Sequence, residues 1–278
     1  MELTSAASPE KTRVLRIQRR GNSTIFEVIS RLFYEGILTH DKKASISKLS
    51  LRLKLSKSWL DIVLNPDQII SWVQIEDGVM EWCKIKRGKI EGASGVNTAE
   101  AAAVFKIYKH LIDAGLETNQ IAVITTYRAQ ANLIREAIKK ANFMKDEPIV
   151  APLYEGVKRK DRQEIIDMEI ERPDSASILD LRIAETVDSY QGREKPCIIY
   201  SITTHIPHIA IQDYRRINVA ITRAKSKLII TSSLRIFQTP PWLMAIKNSS
   251  KVVNISITDM STEYEFVNTL NTQLCRRN

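Results

Sequence analysis

A glycine flanked by polar and charged side chains separates two apolar segments in the second half of the chain. Gln191 and Gly192 are followed directly by Arg193 and Glu194. In open α/β sheets, ligands bind where loops leave the carboxyl ends of strands, and glycine lets a phosphate approach the backbone closely. The segment therefore predicts a phosphate-binding loop at such an end. The alternative is a charged loop that needs glycine only to turn.

Two arginines lie on one face of a helix predicted over residues 213–224. Arg216 and Arg223 are two helical turns apart, and the apolar residues between them recur at helical spacing. The planar guanidinium pairs with phosphate oxygens and does not lose its charge. An arginine placed at a transferring phosphoryl group changes the rate by roughly 10³–10⁵. A solvated basic helix would show the same pattern.

Two shorter segments carry weaker signals. Gln18 and Arg20 end a short apolar run near the start of the chain, where basic side chains would face a ligand. Tyr127 stands between a strand pattern and a helix pattern, so its ring could stack on a base for roughly 1–3 kcal/mol. An aromatic residue that only caps the helix is the alternative for Tyr127.

Alternating strand and helix patterns must position these residues. A first helix is expected to be capped by Ser23 or Thr24 and to end near Gly36. The later elements are a helix from Thr98 to Gly115, a strand over 121–125, a helix over 127–141, a strand over 197–203, a helix over 213–224 and a strand over 228–232. Strands that alternate with helices of this length imply βαβ units and a mainly parallel sheet.

Two stretches depart from this alternation. Residues 42–57 carry six Lys/Arg and no acid, with leucine at every second position from 49 to 55. This pattern predicts a strand with one basic face, which would either contact DNA or protect a sheet edge from aggregation. Residues 143–180 mix prolines with a charge run, and are predicted to be an insertion with a short helix near 162–170.

The composition sets outer limits. The 278 residues carry a net charge of +9, which is compatible with a polyanionic partner but does not require one. No apolar run approaches the roughly 18 residues of a membrane span. Three widely spaced cysteines fit a reducing compartment and argue against a disulfide scaffold. The sequence contains no G-x-x-x-x-G-K-S/T phosphate loop and no Cys/His cluster with zinc spacing, which excludes an autonomous P-loop ATPase.

Together and in this order, the segments resemble the second RecA-like domain of a superfamily 1 helicase of the 5′-to-3′ branch. Gln18-Arg19-Arg20 resembles the Gln-Tyr-Arg motif of that branch, and residues 125–130 resemble Thr-Pro-Tyr-x-x-Gln. Residues 187–195 and 213–225 resemble its two longest motifs, Val-Asp-x-Phe/Tyr-Gln-Gly-Arg-Asp/Glu-Lys and Arg-Arg-Leu/Ile-Asn-Val-Ala-x-Thr-Arg-Ala-Lys. Residues 34–38, 59–66, 95–100 and 226–229 further resemble the DNA replication ATP-dependent helicase/nuclease family. RNA-surveillance relatives share the two longest motifs.

The resemblance implies an α/β fold, namely a RecA-like three-layer sandwich with a mainly parallel sheet, over residues 13–245. Residues 1–12 would be a lead-in, residues 143–180 an insertion and residues 246–278 a tail. ATP lies between two RecA-like domains in the family, so Arg20 and Arg223 would be the fingers that reach its γ-phosphate. Further roles would fall to Gly192 at the phosphate, Glu194 at the ribose, Tyr127 at the adenine, Gln18 and Gln130 at the nucleotide, Gln191 and Arg193 in coupling the nucleotide to domain closure, and Thr186 and Asn97 at the nucleic acid.

The resemblance also implies partners. The family's phosphate loop and Mg²⁺-binding acidic box belong to the first RecA-like domain, so the chain resembles half of a motor that binds ATP and Mg²⁺ jointly with that other half. The implied track is single-stranded DNA, with RNA as the alternative, the implied location is the nucleus, and no iron–sulfur cluster is expected here. A non-catalytic module that binds nucleic acid or protein is the other hypothesis.

Overall fold

The computed structural model describes residues 17–53, 56–87, 90–143, 183–206, 208–235 and 239–276. Its strands are β1 (Ile17–Gln18), β2 (Thr39–His40), β3 (Ile70–Ile75), β4 (Met80–Arg87), β5 (Ile90–Asn97), β6 (Ile121–Thr125), β7 (Ala184–Thr186), β8 (Lys195–Ser201), β9 (Ala224–Ser232) and β10 (Lys251–Ile255). Its helices are α1 (Ser23–Phe33), α2 (Lys42–Ser45), α3 (Trp59–Leu64), α4 (Thr98–Asp113), α5 (Arg128–Phe143), α6 (Ile209–Gln212), α7 (Tyr214–Ile221), α8 (Pro241–Asn248) and α9 (Ser261–Arg276). Short 3₁₀ helices cover Thr118–Gln120 and Ile257–Met260.

A parallel sheet forms the centre of the described structure. Its strands run in the order β10-β3-β9-β8-β6-β7, and every neighbouring pair is parallel. All five residues of β6 are buried, as expected for a parallel strand covered on both faces. The predicted α/β class and mainly parallel sheet are therefore confirmed.

Two hydrophobic cores lie on opposite faces of this sheet, because successive strand residues point to opposite sides. In β3, Val73 belongs to the core shared with α3, α4, α5 and α9, whereas Trp72 belongs to the core shared with α1, α7 and α8. In β8, Ile199 and Ile198 divide in the same way. The three-layer sandwich is thus present, with helices on both faces of the sheet.

Local signals set the helix ends. The Asn97 side chain caps α4 by accepting a hydrogen bond from the Glu100 amide, and the chain leaves that helix through Gly115 at φ +94°. The cap of α1 is Asn22, which accepts from the Thr24 amide, so the helix begins one residue after Asn22 rather than being capped by Ser23 or Thr24.

The strand predicted over residues 42–57 is wrong for the part of it that the structure describes. Residues 42–45 form the short helix α2, and residues 47–53 are irregular. Leu49 is buried and Leu51 packs against the core, so the alternation reports burial correctly. A strand does not form because this segment lies against the end of α4, where the Arg52 amide donates to the Ala114 carbonyl at 2.9 Å.

Three further features were not anticipated. Strands β4 and β5 form an antiparallel hairpin outside the main sheet. Residues 251–276, predicted to be a tail, supply the edge strand β10 and the core helix α9. Cys83 on β4 and Cys275 on α9 form a disulfide, with Cα atoms 5.5 Å apart, a bond that the spacing of the cysteines had not indicated.

The lead-in at 1–12 and the insertion from residue 144 to 180 lie outside the described residues. Within the described ranges, the helices are all too short or too polar to cross a membrane.

Candidate functional site

An arginine cluster, defined by Arg20, Arg223, Lys225 and Glu194, forms where three segments of the chain meet. The Arg20 Nε atom lies 2.8 Å from Glu194 Oε2, and the Lys225 Nζ atom lies 2.5 Å from Glu194 Oε1. Arg20 also donates from Nη1 to the Thr222 carbonyl at 3.2 Å, across 202 residues of sequence. The fold therefore brings the first and last of the arginine motifs together.

Arg223 completes this cluster from the turn between α7 and β9. Its guanidinium donates from Nε to the Val219 carbonyl at 2.9 Å and from Nη1 to the Arg193 carbonyl at 3.5 Å. Burial, reinforced by the nearby charge of Arg20, lowers the pKa of the Arg223 guanidinium. The cluster thus contains three cationic side chains and one carboxylate, a balance that suits an anionic group such as phosphate.

Glu194 is the carboxylate that holds this cluster together. Burial alone would raise the pKa of its carboxyl, but the hydrogen bonds and charges of Lys225 and Arg20 outweigh burial and lower that pKa. The side chain is therefore a carboxylate at neutral pH. In this structure its partners are two cations, and its predicted contact with a ribose stays a prediction.

Gln18 and Gly21 shape the loop that carries Arg20. The Gln18 Oε1 atom accepts from the amides of Arg20 and Gly21 at 3.0 and 3.2 Å, and its Nε2 atom donates to the Gly21 carbonyl at 2.9 Å. A Cβ atom added to Gly21 would lie 2.7 Å from the Lys225 carbonyl oxygen. Gly21, which stands where the resembling family has Met, thus allows the loop to pack directly on the start of β9.

The turn between β7 and β8 carries the predicted phosphate loop. Gly192 has φ +88°, and a Cβ atom built on it would meet no atom within 4 Å. Gln191 is exposed. Arg193 forms an ion pair with Glu185 and lies 4.3 Å over the Tyr190 ring, so its guanidinium is held against the protein.

The position of this turn corrects one sequence expectation. β7 has only three residues, and the turn after it returns the chain to the amino end of β8. Arg193 and Glu194 therefore lie at the amino end of a strand, not at a carboxyl end as expected. Arg223, directly before β9, lies at the same edge of the parallel sheet.

The predicted site residues consequently divide between two edges of the sheet. Tyr127 follows the carboxyl end of β6, and Thr186 ends the neighbouring strand β7. Because these strands are parallel to β8 and β9, Tyr127 lies at the edge opposite the arginine cluster. The structure does not bring Tyr127 together with the two arginines, as a shared adenine and phosphate site would require.

Asn97 and Gln130 are brought together, but inside the protein. Both are fully buried, and the Gln130 side chain accepts from the Asn97 amide at 2.9 Å and donates to the Asn97 carbonyl at 3.1 Å. Asn97 also donates to the Thr203 carbonyl at 3.1 Å. These hydrogen bonds stabilise the loops at the carboxyl edge of the sheet. Neither side chain is open to a ligand in this structure.

Glu100 is a buried residue of this edge that sequence reasoning missed. Its carboxyl accepts from the Ser201 hydroxyl at 2.8 Å and from the amides of Thr203 and Ser233 at 2.7 and 2.9 Å. Burial raises the pKa of Glu100 to about 7 despite these donors. The residue joins the loops that follow β8 and β9, and its place three residues after the capping Asn97 was the available signal.

An aromatic group at the carboxyl edge was also missed. The Tyr127 hydroxyl lies 2.7 Å from His208 Nδ1, and both rings contact the ring of Trp82 on β4. Thr186 stands nearby in the sheet order, with its hydroxyl 3.0 Å from that of Ser189. Trp82 could have been identified only by predicting the hairpin of β4 and β5, and those two strands were not predicted from the sequence.

Comparison with known proteins identifies relatives of this chain. The AAA domain family matches residues 1–235. A DNA replication ATP-dependent helicase/nuclease of Arabidopsis thaliana is 28% identical over 257 residues, covering 89% of this chain and 16% of that protein. One of Xenopus laevis is 30% identical over 234 residues, covering 78% and 18%. A regulator of nonsense transcripts 1 homolog of Neurospora crassa is 27% identical over 227 residues, covering 80% and 17%.

The parallel sheet between two helical layers, with arginine motifs meeting at one edge, defines a RecA-like helicase domain. The chain belongs to the AAA domain family of superfamily 1 helicases. It spans less than a fifth of the length of each of these three relatives.

Proposed function

We propose that this chain is the second RecA-like domain of an ATP-dependent DNA helicase, and that its arginine cluster binds the phosphates of ATP. The observation that carries the proposal is the meeting of Arg20 and Arg223 beside a single carboxylate, Glu194. Isolated like charges repel, so such a group is stabilised when an anion lies against it. Its residues fit a triphosphate by charge and by the donor geometry of guanidinium.

The residues of the cluster would have distinct tasks. Bound ATP supplies the phosphoryl group whose transfer to water drives the motor. Arg20 and Arg223 would donate to the γ-phosphate oxygens, where negative charge is spread during transfer. Glu194 would act as a positioning residue that orients Arg20 and Lys225. Gly192, with open space at its Cα, would allow the backbone to approach a phosphate.

ATP and Mg²⁺ would be bound jointly with a first RecA-like domain that supplies the phosphate loop. The sequence of this chain has no such loop, and the carboxylate of the arginine cluster is occupied by cations rather than being open to Mg²⁺. We assign no residue of the chain to the metal. The partner domain is part of the proposal, as is a nuclear location suggested by relatives named for DNA replication.

Nucleic acid would bind at the opposite, carboxyl edge of the sheet. Thr186 and Tyr127 lie at that edge, opposite the arginine cluster. A nucleic-acid track at this edge would therefore be separate from the nucleotide site. Single-stranded DNA is the track favoured by relatives named for DNA replication. RNA is the second candidate, because relatives named as regulators of nonsense transcripts match a similar share of the chain.

The test is reconstitution with a first RecA-like domain of a related helicase, added in trans or by fusion. We expect ATPase activity that is absent from either part alone and that rises when single-stranded DNA is added. Single-stranded RNA of the same length distinguishes the two tracks. Salt-sensitive DNA binding without any ATPase would instead support a non-catalytic binding module.

A further inference from the structure

A tryptophan lies exposed at the carboxyl edge of the sheet, on the hairpin of β4 and β5. Trp82 on β4 is 53% exposed, whereas Trp72 on the main-sheet strand β3 is fully buried. More than half of the surface of this residue is accessible, so its indole ring can contact a ligand.

The exposed indole is supported from behind by two other rings. Its centroid lies 5.7 Å from that of Tyr127 with the rings at 83°, and 5.6 Å from that of His208. Tyr127 and His208 are themselves joined by the hydrogen bond between the tyrosine hydroxyl and the histidine Nδ1 atom, 2.7 Å. We call Trp82, Tyr127 and His208 the aromatic platform.

The hairpin backbone fixes this platform in place. Gly95 is paired with Trp82 across the hairpin. A Cβ atom at Gly95 would lie 2.7 Å from the Met80 sulfur and 3.2 Å from Tyr127 Cδ2, so glycine gives the tyrosine ring room to lie close to the hairpin backbone. The Met80 amide donates to His205 Nδ1 at 2.9 Å, which ties the hairpin to the loop before His208. The platform is therefore set before any ligand arrives.

Two exposed cationic side chains stand close in sequence to rings of the platform. Arg128 is exposed directly after Tyr127, and Lys84 is exposed two residues after Trp82, on the same face of the strand. The charge of Arg216 also acts on the Tyr127 hydroxyl, whose pKa burial raises to about 12. Aromatic rings interspersed with cations are the combination that binds unpaired bases and their phosphates.

We propose that the aromatic platform stacks an unpaired base of single-stranded nucleic acid, with Trp82 making the ring contact. This inference rests on the proposed function, since it assigns a base-binding position to the carboxyl edge where the track would lie. Stacking on a π face tolerates every base, which suits a motor that moves along a strand irrespective of sequence. Arg128 and Lys84 would meet the flanking phosphates.

The test uses the full chain and fluorescent oligonucleotides of about 15 nucleotides. Oligo-dT is compared with an abasic strand that has the same number of phosphates, and oligo-U serves as the RNA arm. We expect Trp82→Ala to weaken binding of oligo-dT about tenfold, to leave the abasic strand unchanged, and Trp82→Phe to retain most of the affinity. Equal loss with oligo-U would show that the platform does not distinguish DNA from RNA.

Val252→Ala provides the control, because this exposed residue lies on β10 at the other end of the strand order. The inference is overturned if Trp82→Ala binds oligo-dT as tightly as the unchanged chain, which would point to a protein contact for the platform. It is also overturned if the unchanged chain binds oligo-dT and the abasic strand equally, a result that leaves the proposed function standing. Failure to bind either strand would overturn both.

Discussion

The Nε atom of Arg20 lies 2.8 Å from Oε2 of Glu194, so a carboxylate from the turn before β8 orients an arginine from the loop before α1. The same carboxylate binds Lys225 at the start of β9. One acidic side chain therefore sets the positions of two cations that lie far apart in sequence, and it does so at the edge of the sheet where Arg223 also lies.

This relationship predicts a functional role for Glu194 that exceeds its contribution to stability. Both side chains of the pair are more than a third exposed, so Glu194→Gln should lower the free energy of unfolding by less than about 1 kcal/mol. ATPase of the reconstituted motor should fall by about fivefold or more, because Arg20 loses the group that orients it. Asp67→Asn, which removes an exposed ion pair to Lys48, is the matched control. Unchanged turnover would show that Glu194 does not position Arg20.

Gly21 should tolerate no side chain. Gly21→Ala would place a Cβ atom 2.7 and 2.8 Å from the carbonyl oxygens of Lys225 and Ala224, which are backbone atoms that cannot turn away. We expect a loss of about 1–3 kcal/mol in the free energy of unfolding, measured with urea. Gly36→Asn is the control, since Gly36 has φ +75° with open space, and asparagine adopts that conformation. Equal stability of Gly21→Ala and the unchanged chain would contradict the packing described.

Glu100 should make stability depend on pH in an identifiable direction. Its pKa is raised by burial from 4.5 to about 7, so the folded protein binds this proton more tightly than the unfolded chain does. The stability associated with the protonated form is fully present below pH 4.5 and is lost as the pH rises to about 7. The change amounts to about 3 kcal/mol, at about 1.4 kcal/mol for each pH unit.

Glu100→Gln isolates that contribution. The variant cannot ionise, so the stability of the unchanged chain relative to the variant should decrease between pH 4.5 and pH 7 when both are unfolded with urea. The variant should also be less stable at low pH, because its amide offers a donor where Thr203 and Ser233 already donate. A relative stability that rises with pH over this range would contradict the burial effect.

The disulfide predicts a thiol count. Cys83 and Cys275 are joined, and the remaining cysteine, Cys197, is buried. Unfolding the oxidised protein without a reductant should expose one reactive thiol per chain, and unfolding with a reductant should expose three. Labelling followed by mass measurement of the intact chain counts them. Three thiols without a reductant would show that the bond is absent.

The sequence predicts central strands of the main sheet such as β6 well because they are buried on both faces. The continuous apolar run at 121–125 can be read without knowledge of its neighbours, and β6 has those bounds. The leucine alternation in residues 42–57 predicted a strand that does not form in the described part of this segment. It reports one buried face, but whether a strand forms depends on a hydrogen-bonding partner that the local pattern does not contain.

The site shows the same division. The arginine motifs identify Arg20 and Arg223, and the fold brings them to one edge of the sheet. The position of Tyr127 at the other edge depends on strand direction and on the short return from β7 to β8, which local spacing does not specify. Trp82 and Glu100 acquire their roles only through packing between elements that are distant in sequence.

The central claim is that Arg223 acts on the phosphates of ATP, and steady-state turnover of the reconstituted motor on single-stranded DNA tests it most directly. Arg223→Ala should lower kcat by more than about tenfold, since an arginine at the transferring phosphoryl group supplies at least that much. Arg31→Ala, at the exposed end of α1, should leave kcat unchanged. If Arg223→Ala and Arg31→Ala turn over ATP equally fast, the arginine cluster is not the nucleotide site.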